Sequence, residues 1–141
     1  MPTAPPDLPV PPAQPQPSKQ AQAPKVRWKG DLVLYSGGWP AGLWLDDVPP
    51  SKAAVGDLNL VCDCHPGEID GRSVVVWEEA HPPSFQDCSV KKGLMASRSL
   101  AVRPGYMACL QTGSGRLGYL TVTAVRGPAD FELAVTVWDA G

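Results

Sequence analysis

The sequence has no long apolar run and no concentration of charge of one sign. No stretch approaches the roughly 20 consecutive apolar residues that a membrane-spanning helix needs, so we expect no membrane insertion by this chain itself. Its 12 basic residues are scattered along a chain of net charge −2, a distribution that does not favour nucleic-acid binding. Prolines also interrupt the N-terminal segment, where a signal peptide would carry an apolar region.

The motifs of common enzyme classes are missing as well. The sequence has no Gly-x-Ser-x-Gly nucleophile elbow, and its two histidines, His65 and His81, both stand beside prolines. Ser114, between two glycines, precedes a predicted strand and not a helix, which is the wrong context for a phosphate-binding loop. Four carboxylates are interpreted as solvated groups and not as an acid–base pair: Glu68, Asp70, Glu78 and Glu79. We therefore expect neither enzymatic activity nor a cofactor, and a small hydrolase is the least favoured function.

Proline, in contrast, is abundant, and its distribution divides the chain in two. Nine of the 17 prolines lie in the first 24 residues, mixed with alanine and glutamine. Such a segment cannot bury enough apolar surface to offset the entropy of ordering it. We expect residues 1–25 to form a disordered, proline-rich linker or stalk and residues 26–141 to form one domain. A ligand for an SH3-like domain is the alternative role of the N-terminal segment.

The rest of the chain consists of short apolar segments separated by turn residues. Apolar–polar alternation or short apolar runs predict strands at residues 31–35, 42–48, 57–64, 73–77, 99–102, 106–112, 116–125 and 131–138. Residues 65–71 are predicted to form a loop, and residues 85–90 a short helix that Gly93 ends. The glycines on either side of Ser114 are expected to supply the positive φ angles of a tight hairpin. These features predict an all-β fold, a two-sheet antiparallel β-sandwich of about seven to nine strands.

Four cysteines lie within the predicted domain, at positions 62, 64, 88 and 109. An even number of cysteines in a small all-β domain favours disulfides in an oxidising compartment. We therefore expect an extracytoplasmic or secreted protein. Because no signal peptide is visible, we expect either that the chain is the outer part of a longer protein or that its true start lies upstream. A cytoplasmic location is the alternative if the cysteines are reduced.

Zinc binding is the other use that this cysteine pattern allows. Four side chains could supply ligands: Cys62, Cys64, His65 and Cys88. The one-residue spacing of the first two within a predicted strand is poor for a zinc knuckle. We expect no metal site, and the pairing state of Cys62 and Cys64 stays open.

The tryptophans suggest a second class of function. Trp39 lies in a turn before Pro40, where burial is not assured, and exposed aromatic rings can stack on sugars. Asp46 and Asp47 could then bond sugar hydroxyls, with Trp44 nearby. These four residues form the candidate ligand-binding site of the alternative function, a carbohydrate-binding module. Core packing is the commoner role of tryptophan in a small domain, and we expect burial of Trp44.

One motif resembles a known family. A cysteine, a threonine and a glycine–arginine turn follow one another between Cys109 and Leu120, and the last strand ends in Trp138. Over residues 28–139, and most closely in the last third, the chain resembles a domain of actinobacterial surface proteins. That domain follows a transmembrane helix and a proline-rich linker in receptor-like serine/threonine kinases, and also occurs in small secreted proteins.

The resemblance implies a disulfide, a location and a role. In that family a cysteine near a short helix pairs with the one before the hairpin, and the matching residues here are Cys88 and Cys109. Cys62 and Cys64 have no counterpart in the family pattern, and the chain contains neither the kinase nor the membrane helix. The function that we expect is a non-catalytic extracytoplasmic interaction or sensing module on a proline-rich stalk. Its partner would be an unknown protein or glycan.

Overall fold

The computed structural model describes residues 24–37, 40–60 and 67–141. Several predictions made from the sequence lie outside the described residues: those for the N-terminal segment up to residue 23, for Trp39, and for Cys62 and Cys64. None of the helices in the described part of the chain is long and apolar enough to cross a membrane.

The described residues confirm the all-β fold with one short helix. The nine strands are β1 Val26–Tyr35, β2 Gly42–Trp44, β3 Ser51–Ala53, β4 Leu58–Asn59, β5 Glu68–Trp77, β6 Ala96–Ala101, β7 Met107–Gln111, β8 Leu117–Gly127 and β9 Asp130–Trp138. Helix α1 spans Phe85–Val90 and is followed by a 3₁₀ turn at Lys92–Leu94. The closing meander of β7, β8 and β9 lies within two residues of its predicted bounds, because glycine turns separate strongly alternating segments.

The strands form one continuous antiparallel sheet in the order β1-β9-β8-β7-β5-β4-β2-β3, with β6 also paired to β5. Strand β5 belongs to both halves of the sandwich. Its first half pairs with β4 on one edge and β6 on the other, and its second half, from Val74 to Trp77, pairs with β7. The two expected sheets are therefore the two ends of one sheet that curls around a common core.

Residues 68–71 correct one prediction. They were predicted to form part of a loop, and glycine and aspartate are in general poor strand formers. In the structure they begin β5, and Ile69 is fully buried. Hydrogen bonding to β4 and β6 on both edges outweighs the weak local preference at Asp70 and Gly71.

The main core lies inside the curl and draws on almost every strand. The four apolar residues that alternate along β9 are all buried in it: Phe131, Leu133, Val135 and Val137. Leu43 and Leu58 enter the same cluster from the opposite end of the sheet. Burial of such side chains contributes about 1.5–3 kcal/mol each, so this core accounts for the closure of the curl.

A second, smaller cluster lies on the outer face of β5, β7, β8 and β9, where α1 covers the sheet. It contains Val75 and Trp77, while Val74 points into the main core, so β5 is buried on both faces as its continuous apolar run predicts. Helix α1 begins at a capping box in which Ser84 and Asp87 bond each other's backbone N–H. Gly93 does not end this helix. The chain tightens into the 3₁₀ turn after Lys91, and Gly93 lies inside that turn.

Candidate functional site

The loop that follows β2 brings Trp44, Asp46 and Asp47 close together, but in different environments. Asp46 is buried, with 8% of its surface exposed. Asp47 is exposed and accepts a hydrogen bond from Ser51 Oγ at 2.6 Å. Trp44 is half-buried. Of the candidate residues that the structure describes, Asp46 is therefore the one built into the interior.

The carboxylate of Asp46 binds the tip of the β7–β8 hairpin. Its Oδ1 accepts hydrogen bonds from Thr112 Oγ1 at 2.6 Å, Ser114 Oγ at 2.5 Å and Arg116 Nη1 at 2.9 Å. Its Oδ2 accepts one from the backbone N–H of Ser114 at 2.9 Å. The bond to Arg116 is also an ion pair. Bonds of this kind, from charged or polar donors to an ionised carboxylate, are the stronger class of protein hydrogen bond.

A second buried carboxylate, that of Asp57, binds the same hairpin at the neighbouring residue, Gly113. It is 3% exposed, and its Oδ1 accepts the backbone N–H of Gly113 at 2.9 Å. Its Oδ2 accepts the backbone N–H of Leu45 at 2.9 Å, so Asp57 ties the hairpin tip to the loop after β2. We refer to one set of five residues as the hairpin clamp: Asp46, Asp57, Thr112, Ser114 and Arg116.

The two carboxylates of the hairpin clamp have pKa values displaced in opposite directions. Burial would raise the pKa of Asp46, but hydrogen bonds from Ser114, Thr112 and Arg116 outweigh it and lower that pKa below 3.8. Burial raises the pKa of Asp57 above 3.8, and the charge of Asp46 adds to the rise. The N–H bonds from Leu45 and Gly113 only partly offset it.

Carboxylate pairs with pKa values pushed apart are also found at acid–base catalytic sites. Here all four carboxylate oxygens already accept bonds from the protein itself. The depression beside Asp57 has a volume of only about 160 Å³, below the roughly 300 Å³ at which ligand pockets begin. The hairpin clamp is therefore suited to holding the loops together and not to transferring protons to a substrate.

Charged groups from the neighbouring strands β1 and β9 extend the hairpin clamp. Arg27 of β1 donates to the backbone oxygen of Asp46 through Nη2 at 2.8 Å and Nε at 3.2 Å. Asp139, just after β9, lies 3.6 Å from both Arg27 and Arg116. Through these contacts the clamp also connects the first and last strands.

Trp44 packs on the hairpin, and its position explains why residue 113 is a glycine. A Cβ on Gly113 would lie 2.5 Å from Cη2 of the Trp44 indole, so the ring and the turn approach too closely for any side chain there. Gly115 has φ of 99°, and Gly113 is not among the glycines with positive φ. The expectation that both glycines supply positive φ is thus confirmed for Gly115 and wrong for Gly113, whose role is close approach.

The predicted pairing of Cys88 with Cys109 is confirmed. The two cysteines are bonded, with Cα atoms 5.5 Å apart, and both side chains are fully buried. The bond joins α1 to the middle of β7 and takes Cys88 out of the zinc ligand set that was considered. Within the described ranges, no three His, Cys, Asp or Glu side chains are grouped so that they could hold a metal ion.

Open space for a ligand lies elsewhere on the surface. One groove of about 550 Å³ crosses the outer side of β5 near Asp70 and Arg72. Another, of about 640 Å³, lies beside Tyr106, where burial raises the pKa of the phenol. Glu78 and Glu79 border the second groove and are exposed, as the interpretation of solvated carboxylates expects.

Most of the hairpin clamp was not identified from the sequence. Asp57 was predicted only to begin the strand at residues 57–64. Thr112 and Arg116 were recognised as part of the motif that carries the family resemblance, and Ser114 as the centre of a hairpin turn. A signal was present, since the threonine and arginine flank a turn too polar and too rich in glycine to pack apolar partners. The residues that bind this turn, Asp46 and Asp57, precede it by more than fifty residues in the sequence.

Comparison with known proteins finds no matching family, no matching curated protein and no matching solved structure.

Proposed function

We propose that this chain is a non-catalytic interaction or sensing module that works outside the cytoplasm, carried on a proline-rich stalk. The buried Cys88–Cys109 bond carries this proposal, since such bonds persist in oxidising compartments. The resemblance to the actinobacterial surface domain supports the same location. Membership of that family is part of the proposal.

The hairpin clamp supports the non-catalytic part of the proposal. The carboxylates with displaced pKa values are those of Asp46 and Asp57. Three of their four oxygens accept hydrogen bonds from the hairpin, and the fourth accepts the backbone N–H of Leu45. The domain thus uses its buried acids to fix loops at one end of a rigid sheet. This is the architecture of a scaffold that presents surfaces to a partner.

Protease accessibility and thiol labelling on intact cells of the source organism test the location. We expect an antibody against the domain to detect cleavage by added protease while a cytosolic protein of the same cells stays intact. Cys88 and Cys109 should resist alkylation in denatured protein until a reductant is added. Protection from protease, together with free alkylation of both thiols, would contradict the proposal.

Carbohydrate binding is the second candidate, and the incomplete burial of Trp44 is the observation in its favour. The carboxylate of Asp46 is committed to the hairpin clamp, so this candidate would depend on Trp44, the exposed Asp47 and Trp39. A glycan array probed with the wild type, Trp39→Ala, Trp44→Ala and Asp47→Ala separates the two functions. We expect no glycan signal that depends on these side chains. A signal lost in Trp39→Ala or Trp44→Ala at unchanged stability would favour the carbohydrate-binding module.

A further inference from the structure

The point where the sheet divides creates a groove on its outer side. At Asp70 and Gly71, β5 is bonded to β4 on one edge and to β6 on the other. Beyond Gly71 the register with β6 shifts, so that Arg72 and Ser73 oppose Ser97 alone. Such a β-bulge bends the strand and redirects its side chains. We call the resulting groove the fork groove.

The fork groove is polar along its floor and has the size of a small-ligand site. Asn59, Asp70 and Ser99 lie in register across β4, β5 and β6 and form a polar row. Val55, 70% exposed, and the half-buried Leu60 provide an apolar wall. The volume of about 550 Å³ lies within the roughly 300–1,000 Å³ that is typical of ligand pockets.

Its charge is opposite to that of the whole protein. Arg72 and Arg98 both line the groove, and Asp70 is its one lining acid, which makes a net charge of 2 − 1 = +1 on a chain of net charge −2. Asp70 accepts a hydrogen bond from Ser99 Oγ. Among the described residues, ion pairs engage Arg27, Arg116 and Arg126 but neither arginine of the fork groove.

We propose that the fork groove binds an oxyanion group, a carboxylate or a phosphate, of the ligand that the interaction module recognises. Guanidinium groups present paired N–H donors that match the oxygens of such groups, and the hydroxyl of Ser97 lines the same space. The apolar wall at Val55 accommodates the uncharged part of the ligand. This inference rests on the proposed function for its biological role, while the binding itself does not depend on it.

Titration of the isotope-labelled protein with inorganic phosphate, and separately with succinate, tests the inference by NMR at constant ionic strength. We expect saturable shifts of the Arg72 and Arg98 side-chain Nε–H signals and of backbone amides 97–99. Arg72→Gln and Arg98→Gln should each weaken binding about tenfold, because each removes one charged pair of donors. Arg103→Gln is the matched control, since Arg103 is also exposed but lines the groove beside Tyr106.

A gain of binding sharpens the test. Asp70→Asn keeps an acceptor for Ser99 but removes the one negative charge of the lining, so affinity for phosphate should rise about two- to fivefold. Neither probe producing saturable shifts would overturn the inference. Equal weakening in Arg103→Gln would also overturn it, because binding would then reflect overall charge. No gain in Asp70→Asn would overturn it as well, because the bound oxyanion would then lie away from the carboxylate that lines the fork groove.

The two proposals can fail separately. A cytoplasmic location with intact phosphate binding would overturn the proposed function and leave the fork groove as a site. A surface location without oxyanion binding would overturn the fork groove alone.

Discussion

The β7–β8 hairpin is held from two sides by different kinds of interaction. At its tip the hairpin clamp surrounds residues 112–116 with two buried carboxylates. On its outer face the Cys88–Cys109 bond and an apolar cluster attach α1. The first attachment depends on ionisation and the second on oxidation. The same element is therefore stabilised by two interactions that respond to different solution variables.

The largest loss of stability should follow from removing the Cys88–Cys109 disulfide. Cys88→Ala/Cys109→Ala removes a bridge between residues 21 apart in sequence, and a loop of about that size contributes roughly 3 kcal/mol by restricting the unfolded chain. Urea unfolding should show this loss in the free energy of unfolding, and it should be similar at pH 3 and pH 7. A loss of unfolding free energy that varied strongly with pH would show that the disulfide and the hairpin clamp do not respond to different solution variables.

The next effect concerns the strongest bonds of the hairpin clamp. Asp46→Asn removes a charge that accepts from Thr112, Ser114 and Arg116, and we expect a loss of about 2 kcal/mol at pH 7. The folded-state pKa of Asp46 lies below 3.8, so its contribution is present above that pH and disappears as pH falls through the folded pKa. The difference between wild type and variant, measured by urea unfolding, should therefore shrink in acid.

Asp47→Asn is the matched control for this measurement. Asp47 is the exposed neighbour with one bond to Ser51, and its substitution should change stability by less than about 0.5 kcal/mol. An equal loss in both variants would show that the buried network adds nothing.

The stabilisation that Asp57 provides should depend on pH in the opposite direction to that of Asp46, and more weakly. The folded-state pKa of Asp57 lies above 3.8, so its contribution is complete below pH 3.8 and is lost as pH rises through the folded pKa. The difference in unfolding free energy between wild type and Asp57→Asn should narrow with rising pH. When Asp46 is also replaced by Asn, the stability difference caused by Asp57→Asn should depend less on pH, since the charge of Asp46 is one cause of the raised pKa of Asp57. A difference that widened with pH would contradict the assignment.

The smallest change in stability should follow from deleting the N-terminal segment. This deletion serves as a reference for the variants of the disulfide and of the hairpin clamp. The segment's composition of proline, alanine and glutamine supplies no core residue. Deleting residues 1–24 should leave the melting temperature nearly unchanged. Calorimetry of the two chains measures this directly, and a drop of several degrees would mean that the segment packs on the domain.

The strand predictions succeeded or failed according to how local their causes are. The bounds of the last three strands were predicted closely, because apolar–polar alternation and glycine turns depend only on residues that are neighbours in the sequence. Strand β3, Ser51–Ala53, was missed, and the start of β5 was predicted as a loop. Both are short or polar segments whose strand conformation depends on hydrogen bonds to other strands.

Sequence alone determined the β class, the position of the short helix and which face of β9 is buried, because these follow from side-chain periodicity over a few residues. The Cys88–Cys109 pairing followed from resemblance and not from spacing. Only the tertiary structure decided that β5 joins both halves of the sheet and that Asp46 meets Ser114, 68 residues away. Such contacts carry no local signal, because an aspartate after a strand has the same sequence pattern whether its carboxylate faces water, a sugar or the tip of a distant hairpin.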